Sequence, residues 1–419
     1  MFFIDSVEIN GMWGYKNISV KFNPDINIFI GKNGTGKTTF LSIISSVLEV
    51  NISKLRTLNF DNVQIILTDK EHHTKTISVT KSSDGILYQI SNQKFPIEFE
   101  RRRNILDDGI SERRFYMRSS IRNIIEELNK VRILSTLTVS REEELLEYNE
   151  RHREIENPID KKLRATELKL CDMHRGWNRE VQRIYEEFQR QMLLLMLYDP
   201  KYDSLKNIDA ISQFDTDNLK KGLIEAYKRV NLSSANIDSK IVKHVERIND
   251  SIAARKKLSP GVAWSADDAL PLPLWARSLT IVQLLNDSEH RKDEIFKVYK
   301  TFQKEFLTFC QKDIIINAYN NEILLELDPF TENKIYLSQL SSGEKQLFIL
   351  LAEAVLMNQH TVISITDEPE LSLHIAWQRD LLSSIRKLNS NAQIIVATHS
   401  PEIAGGFPDK IIDMESIVK

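Results

Sequence analysis

Gly31-Lys32-Asn33-Gly34-Thr35-Gly36-Lys37-Thr38 follows a short apolar run, Ile26-Asn27-Ile28-Phe29-Ile30. It opens a segment, Thr38 to Leu48, whose apolar residues recur at helical spacing. The eight residues fit G-x-x-x-x-G-K-[ST]. Glycines let successive backbone N–H groups curl around a phosphate, the lysine brings positive charge to the outer phosphates, and the last hydroxyl suits Mg²⁺. The strand before and the helix after are the context such a loop requires. We therefore expect ATP to be held by Asn33, Gly34, Thr35, Gly36, Lys37, Thr38 and Thr39.

A second stretch, Thr361 to His374, reads T-V-I-S-I-T-D-E-P-E-L-S-L-H. An apolar, β-branched run ends on adjacent carboxylates, which repel one another and are costly to desolvate. A strand running out into a solvated loop would explain them. A phosphate loop elsewhere in the chain makes a metal-nucleotide reading stronger. Asp367, with Thr38, is expected in the Mg²⁺ shell, and Glu368 is expected to act on the attacking water. The acid-bearing strand is expected beside the phosphate-loop strand, with the strand that ends in Thr398-His399-Ser400 beyond it. Leu340-Ser341-Ser342-Gly343-Glu344-Lys345-Gln346 opens a further helix, and free N–H groups at a helix start favour anions. A His at a strand end can reach a terminal phosphate, which nominates His399.

The order phosphate loop, L-S-S-G-E-K-Q, D-E-P-E and T-H-S resembles the ABC-type ATPase head of the AAA family. More narrowly it is similar to the Rad50/SMC/RecF and OLD-like branch, where a helical insertion splits the head. The likeness covers the two ends of the chain and none of the middle. It implies an ATPase converting ATP and water to ADP and phosphate, with heads dimerising head to tail through ATP, in a homodimer or a higher homo-oligomer. Ser341, Ser342, Gly343 and Glu344 of one head would then contact ATP held by the other. Glu368 would be the catalytic base, His399 the switch histidine, and Glu370 to His374 a loop at the dimer seam. Gly11-Met12-Trp13-Gly14-Tyr15 stands where many relatives carry Phe-Arg, so Trp13 or Tyr15 is a candidate to stack on adenine. Gln64, Gln93 and Thr138 to Arg141 are candidates for the glutamine loop.

The organisation agrees. An α/β architecture is expected: an ABC-type head in residues 1–140 and 314–419, split by a helical, coiled-coil-like insertion over 141–313. Strands are expected at Phe3 to Ile9, Ile18 to Phe22 and over residues 60 to 99. Trp177, Val181, Ile184, Phe188, Met192 and Leu195, then Ile295, Val298, Phe302, Phe306 and Phe309, form apolar stripes at helical spacing. They predict two long antiparallel helices with smaller helices at the tip and a break at Pro260-Gly261 and Leu270 to Trp275. Strands return at Ile314, Ile323 and Ile335. The last two, Thr361 to Thr366 and Gln393 to Thr398, each follow a helix, as in a parallel sheet.

Charge and composition set outer bounds. A net charge of −3 gives no global attraction to nucleic acid, so DNA contact would need a local patch. Arg101, Arg102, Arg103, Arg113, Arg114, Arg118 and Arg122 could form one, diluted by Asp107, Asp108 and Glu112. Cys171 and Cys310 fit no metal spacing, and no membrane segment or signal peptide is expected, so the default place is the cytoplasm. Twenty residues follow His399, whereas OLD proteins carry a Toprim nuclease domain after this head. A separate effector, a nuclease, is expected instead. The chain resembles stand-alone ATPase subunits of anti-phage systems of the PARIS and Septu types. These would link a phage trigger protein to that effector. The alternative is a DNA-repair or chromosome ATPase that clamps DNA itself. A transporter subunit fits the large insertion poorly.

Overall fold

The computed structural model describes residues 2–99, 119–128, 157–203, 215–257, 265, 267, 271–317, 322–327, 333–357 and 362–418. It divides into two compact units, Met1–Cys171 with Thr301–Lys419, and Asp172–Lys300. The first is an α/β head and the second is helical.

The head is organised around helix α1 (Lys37–Leu48). Phe40, Leu41, Ile43, Ile44, Val47 and Leu48 give it a broad apolar face, and Ser42, Ser45 and Ser46 are buried as well, so the helix must be covered on more than one side. Two sheets do this. One is antiparallel, in the order β2 (Lys16–Lys21), β1 (Phe2–Met12), β4 (Asn62–Asp69), β5 (Thr74–Lys81), β6 (Gly85–Ile90), β7 (Gln93–Glu98). Its inward residues Ile4, Val7, Ile9, Val63, Ile65, Ile77 and Val79 alternate with exposed or half-exposed ones, and the buried Tyr88 hydroxyl donates to the Val47 carbonyl of α1. The other sheet is parallel, in the order β11 (Ile363–Asp367), β12 (Gln393–Ala397), β3 (Ile26–Ile30), β13 (Ile411–Asp413). Both sheets and α1 share one apolar core.

The strand order corrects the sequence expectation. β12 lies between β3 and the acid-bearing β11, so the phosphate-loop strand and the acid strand are not neighbours. The function of the edge survives. In a parallel sheet all strand ends fall at one side, and Asp367, Ala397 and Phe29 stand level across the three strands. The phosphate loop, the acid pair and the T-H-S turn therefore emerge together.

Gln393 joins the two sheets. It is buried, its Oε1 accepts from Ile4 N (2.8 Å), and its Nε2 donates to Ile4 O and Asn23 O (2.8 Å each). The amide thus serves β1 as a neighbouring strand would, beside the register shift between Ile4 and Ser6.

A third, antiparallel sheet runs β10 (Lys334–Tyr336), β9 (Ile323–Glu326), β8 (Asp313–Ile316). The long helices are α2 (Pro158–Leu194) and α5 (Pro271–Cys310), about 55 and 60 Å long at 1.5 Å per residue. Each belongs partly to both units. Inside the helical unit they are antiparallel. His174 meets Tyr299 (ring centroids 5.5 Å apart), Tyr185 bonds Glu289, and Phe188 packs with Leu285. Helices α3 (Thr216–Arg229) and α4 (Ala235–Lys257) pack Leu219, Leu223, Ile241 and Val245 together against Trp275 and Leu279 of α5. Pro271 and Pro273, expected as a break, begin α5. The first turn of a helix tolerates proline because its N–H groups lack intrahelical partners anyway.

Replacing Gln393 by Leu leaves the Ile4 N–H and two carbonyls without these partners. Chemical denaturation of Gln393→Leu should show a loss of at least ~2 kcal/mol. Unchanged stability would mean that the amide does not join the sheets.

Candidate active site

The phosphate loop is shaped by its glycines. Gly34 and Gly36 have φ of 81° and 105°, values that side chains disfavour. Gly36 is also crowded: a Cβ there would lie 2.8 Å from Met12 Cε and 3.3 Å from Trp13 Cη2. Trp13 therefore packs on the loop, while Tyr15 is exposed. Lys16 ties the two together, with Nζ 4.7 Å from the Trp13 ring centroid and 3.5 Å from Thr35 O. Asn33, Gly34 and Thr38 are exposed, and Thr35 and Thr39 are half-buried.

Lys37 is almost fully buried and is folded back across its own loop. Its Nζ donates to Gly31 O (2.7 Å) and Lys32 O (3.2 Å). Burial pushes its pKa down, while the carboxylates of Asp367, Glu368 and Glu370 push it up. One ammonium thus faces three acids, leaving the group two negative charges in excess when all are ionised.

Asp367 ends β11, beside the Thr38 side chain. Burial raises its pKa, and Glu368 and Glu370 add to the rise. The Thr38 hydroxyl and Lys37 oppose it. Its Oδ1 is buried and has no hydrogen-bond partner among the described residues. Such an oxygen is costly unless something binds it. A carboxylate beside a hydroxyl, with excess negative charge around them, fits Mg²⁺, which takes few protein ligands and shares its shell with phosphates.

Glu368 lies just past the strand, in the left-handed region (φ 47°), with its N–H held by Ala397 O at 2.8 Å. A non-glycine residue there is strained, and that strain turns the side chain out of the strand's alternation. Its Oε1 stands 4.0 Å from His399 Nε2, both side chains being partly exposed. His374, set against the D-E-P-E run, accepts from Ala376 N and caps helix α7 (Ile375–Leu388).

The second motif begins helix α6 (Ser342–Leu356). Ser341 and Glu344 form a capping box: Glu344 Oε2 accepts from Ser341 N (2.9 Å) and Ser341 Oγ (2.8 Å). Ser341 and Ser342 are exposed. A Cβ on Gly343 would run into the Ser372 carbonyl oxygen, so this glycine allows α6 to sit on the turn after the acids. No hydrogen bond or ion pair among the described residues joins Ser341–Glu344 to the phosphate loop of the same chain. The Glu344 carboxylate, nominated for ATP in trans, is occupied by its own cap and by Lys312, just past α5. Lys345 Nζ meets Asp160 Oδ1 at the start of α2 (2.8 Å). Successive residues of this motif therefore hold the roots of both long helices.

Glu370, expected from sequence only as the start of a loop at the dimer seam, holds the T-H-S turn of its own chain. Its Oε1 accepts from Thr398 Oγ1 (2.7 Å), His399 N (2.7 Å) and Ser400 N (3.1 Å). The third acid of the run was the signal; its partners lie 28–30 residues away in sequence. Gln64 and Gln93 lie in the antiparallel sheet, and Thr138 to Arg141 fall outside the described residues, as do six of the seven arginines. The seventh, Arg122, pairs with Glu126 at 3.3 Å.

The raised pKa of Asp367 fixes the sign of a stability effect. Its ionised form is disfavoured by folding, so the free protein gains stability from this group as pH falls through its folded pKa. Asp367→Asn should therefore raise Tm without nucleotide by about 2 °C and abolish the further rise that Mg-ATP gives wild type. A fall in Tm without nucleotide would show that this carboxylate is not under electrostatic strain.

A profile described as the AAA ATPase domain matches residues 2–404. The "Retron Ec83 probable ATPase" of Escherichia coli is 22% identical over 420 residues, covering 96% of this chain and 69% of that protein. The "Retron Vc95 probable ATPase" of Vibrio cholerae serotype O1 biovar El Tor is 23% identical over 431 residues, covering 93% and 69%. Among solved structures, the Smc head domain of Pyrococcus furiosus, with an extended coiled coil and bound to the C-terminal domain of ScpA, matches with TM-score 0.47 and 15% identity. That match covers 99% of this chain and 93% of the other. The Smc head domain of Pyrococcus yayanosii, with a coiled coil and joint, gives 0.43 and 16%, covering 99% and 95%. No helix among the described residues is long and apolar enough to cross a membrane. The phosphate loop, the acid pair and the T-H-S turn at one sheet edge thus lie within a matched family domain, and the chain belongs to the AAA ATPase domain family.

Proposed function

We propose that the chain hydrolyses Mg-ATP and that this ATP cycle makes it the regulatory component of an anti-phage defence system with a separate effector. The observation that carries the ATPase part is the convergence of Lys37, Thr38, Asp367, Glu368 and His399 at the ends of three parallel strands. Mg²⁺, when bound, would neutralise phosphate charge; Thr38 and Asp367 are the residues to hold it. Lys37 exchanges its bonds to Gly31 O and Lys32 O for phosphate oxygens. Glu368 takes a proton from the attacking water as its oxygen bonds to the γ-phosphorus and the bond to the ADP oxygen breaks. His399 hydrogen-bonds the γ-phosphate.

The exposed Ser341 and Ser342 support a second head binding the same γ-phosphate, in a homodimer or a larger ring of copies. Gly343 would add its N–H there, with Glu344 holding the helix start rather than touching ATP. Through Lys312 and Asp160 the same motif is tied to the roots of α2 and α5, so head engagement can be passed to the helical insertion. That is the behaviour a regulator of a nuclease or other effector needs. The two curated relatives add retrons to the PARIS and Septu types expected from sequence, and their ATPase names inside retrons support a component that acts with others. A phage protein is the natural trigger.

Glu368→Gln should bind Mg-ATP, turn it over at least ~100-fold more slowly and elute as a stable dimer with ATP. In cells carrying the whole operon and challenged with phage, it should lose protection. Full protection by this variant would refute an ATP-dependent defence role, and unchanged elution with ATP would refute the head-to-tail dimer.

A further inference from the structure

The imidazole of His399 makes no hydrogen bond among the described residues. Its only charged neighbour there is Glu368, 4.0 Å away. A half-exposed ring with so little to hold it is placed by its main chain. That main chain is fixed by one carboxylate oxygen. Oε1 of Glu370 accepts from Thr398 Oγ1, His399 N and Ser400 N at 2.7, 2.7 and 3.1 Å, around a Thr398 that is completely buried. Bonds to an ionised acceptor are about twice as strong as neutral ones.

The clamp closes into a ring. Ser400 Oγ donates to Gln378 Oε1 (2.6 Å), Gln378 Nε2 donates to Leu373 O (3.1 Å), and Leu373 N donates back to Glu370 O (2.9 Å). The turn after β11 and the turn after β12 therefore move as one body. That body includes Ser372, whose carbonyl is the surface on which Gly343 of the second motif rests.

We propose that Glu370 is a positioning residue for ATP hydrolysis. Through the main chain of residues 398–400 it sets His399 against Glu368 and the γ-phosphate, and it carries displacement of the Ser372 turn to that histidine. The inference rests on the ATPase reading above. It assigns Glu370 no proton transfer and no contact with ATP or metal.

The test is a double-mutant cycle in steady-state ATP hydrolysis by the full chain, with Glu370→Met, His399→Ala and the pair, over ranges of ATP and Mg²⁺. Glu370→Met should lower kcat at least ~10-fold with KM for ATP within ~3-fold. In the His399→Ala background the same change should cost less than ~2-fold, because both remove one unit of function. Glu370→Gln keeps an acceptor oxygen and should lose only about 3-fold, again with no further loss beside His399→Ala. If Glu370→Met does not fold, the Gln cycle decides.

Losses that multiply would overturn the proposal, as would an unchanged kcat in Glu370→Met or an effect confined to KM. Recovery of Glu370→Met at high Mg²⁺ would make Glu370 a metal group and overturn it too. A wild-type protein that does not hydrolyse ATP contradicts the ATPase reading itself. A wild type that hydrolyses ATP, with His399→Ala equally fast, contradicts only the positioning role.

Discussion

The buried ammonium of Lys37 faces the carboxylates of Asp367, Glu368 and Glu370, one positive charge against three negative ones. That imbalance organises the head. A free amine would be cheaper to leave in water, and three acids would be cheaper to spread apart. The fold does neither, because α1 buries its apolar residues in the core and carries Lys37 in with it. The parallel sheet then delivers the acids to the same edge. Under the proposed function a cation meets the acids and phosphates meet the ammonium, so the site should be less stable without Mg-ATP.

The same economy explains how the rest of the edge is built. Glu368 is held in the left-handed region by the β12 carbonyl of Ala397. Glu370 gives one oxygen to three donors of the T-H-S turn, and its other oxygen is buried with no hydrogen-bond partner among the described residues. In the proposed cycle neighbouring acids thus have different work: Asp367 for the metal, Glu368 for water, Glu370 for the main chain beside His399. The second motif shows a parallel division. Ser341 and Ser342 face outward, whereas Glu344 and Lys345 are turned inward to Lys312 and Asp160.

Local features could be read from the sequence. The strand, glycine loop and helix around Lys37 follow from residues within reach of one another, and so do the helix start at Ser341 and the two helical stripes. Long-range relations could not be read. Nothing near Thr398 says that β12 rather than β11 pairs with β3; that order depends on which apolar faces fit over α1. The tie of Gln393 to Ile4 spans most of the chain, and a lone glutamine in an apolar strand gives no hint of it. Pro271 and Pro273 looked like a break because proline ends helices more visibly than it begins them. Glu370 was read only as part of a seam loop, because the donors it binds lie 28–30 residues away in sequence.

The central claim is that the acids around Lys37 are there to be met by the Mg²⁺ that arrives with ATP, while Lys37 meets the phosphates. Calorimetric titration of the wild-type chain with a non-hydrolysable ATP analogue, in Mg²⁺ and in EDTA, tests it most directly. The account predicts one site per chain, at least ~10-fold weaker without the metal, a difference of about 1.4 kcal/mol. Equal affinity in EDTA, or no binding in either buffer, would contradict it.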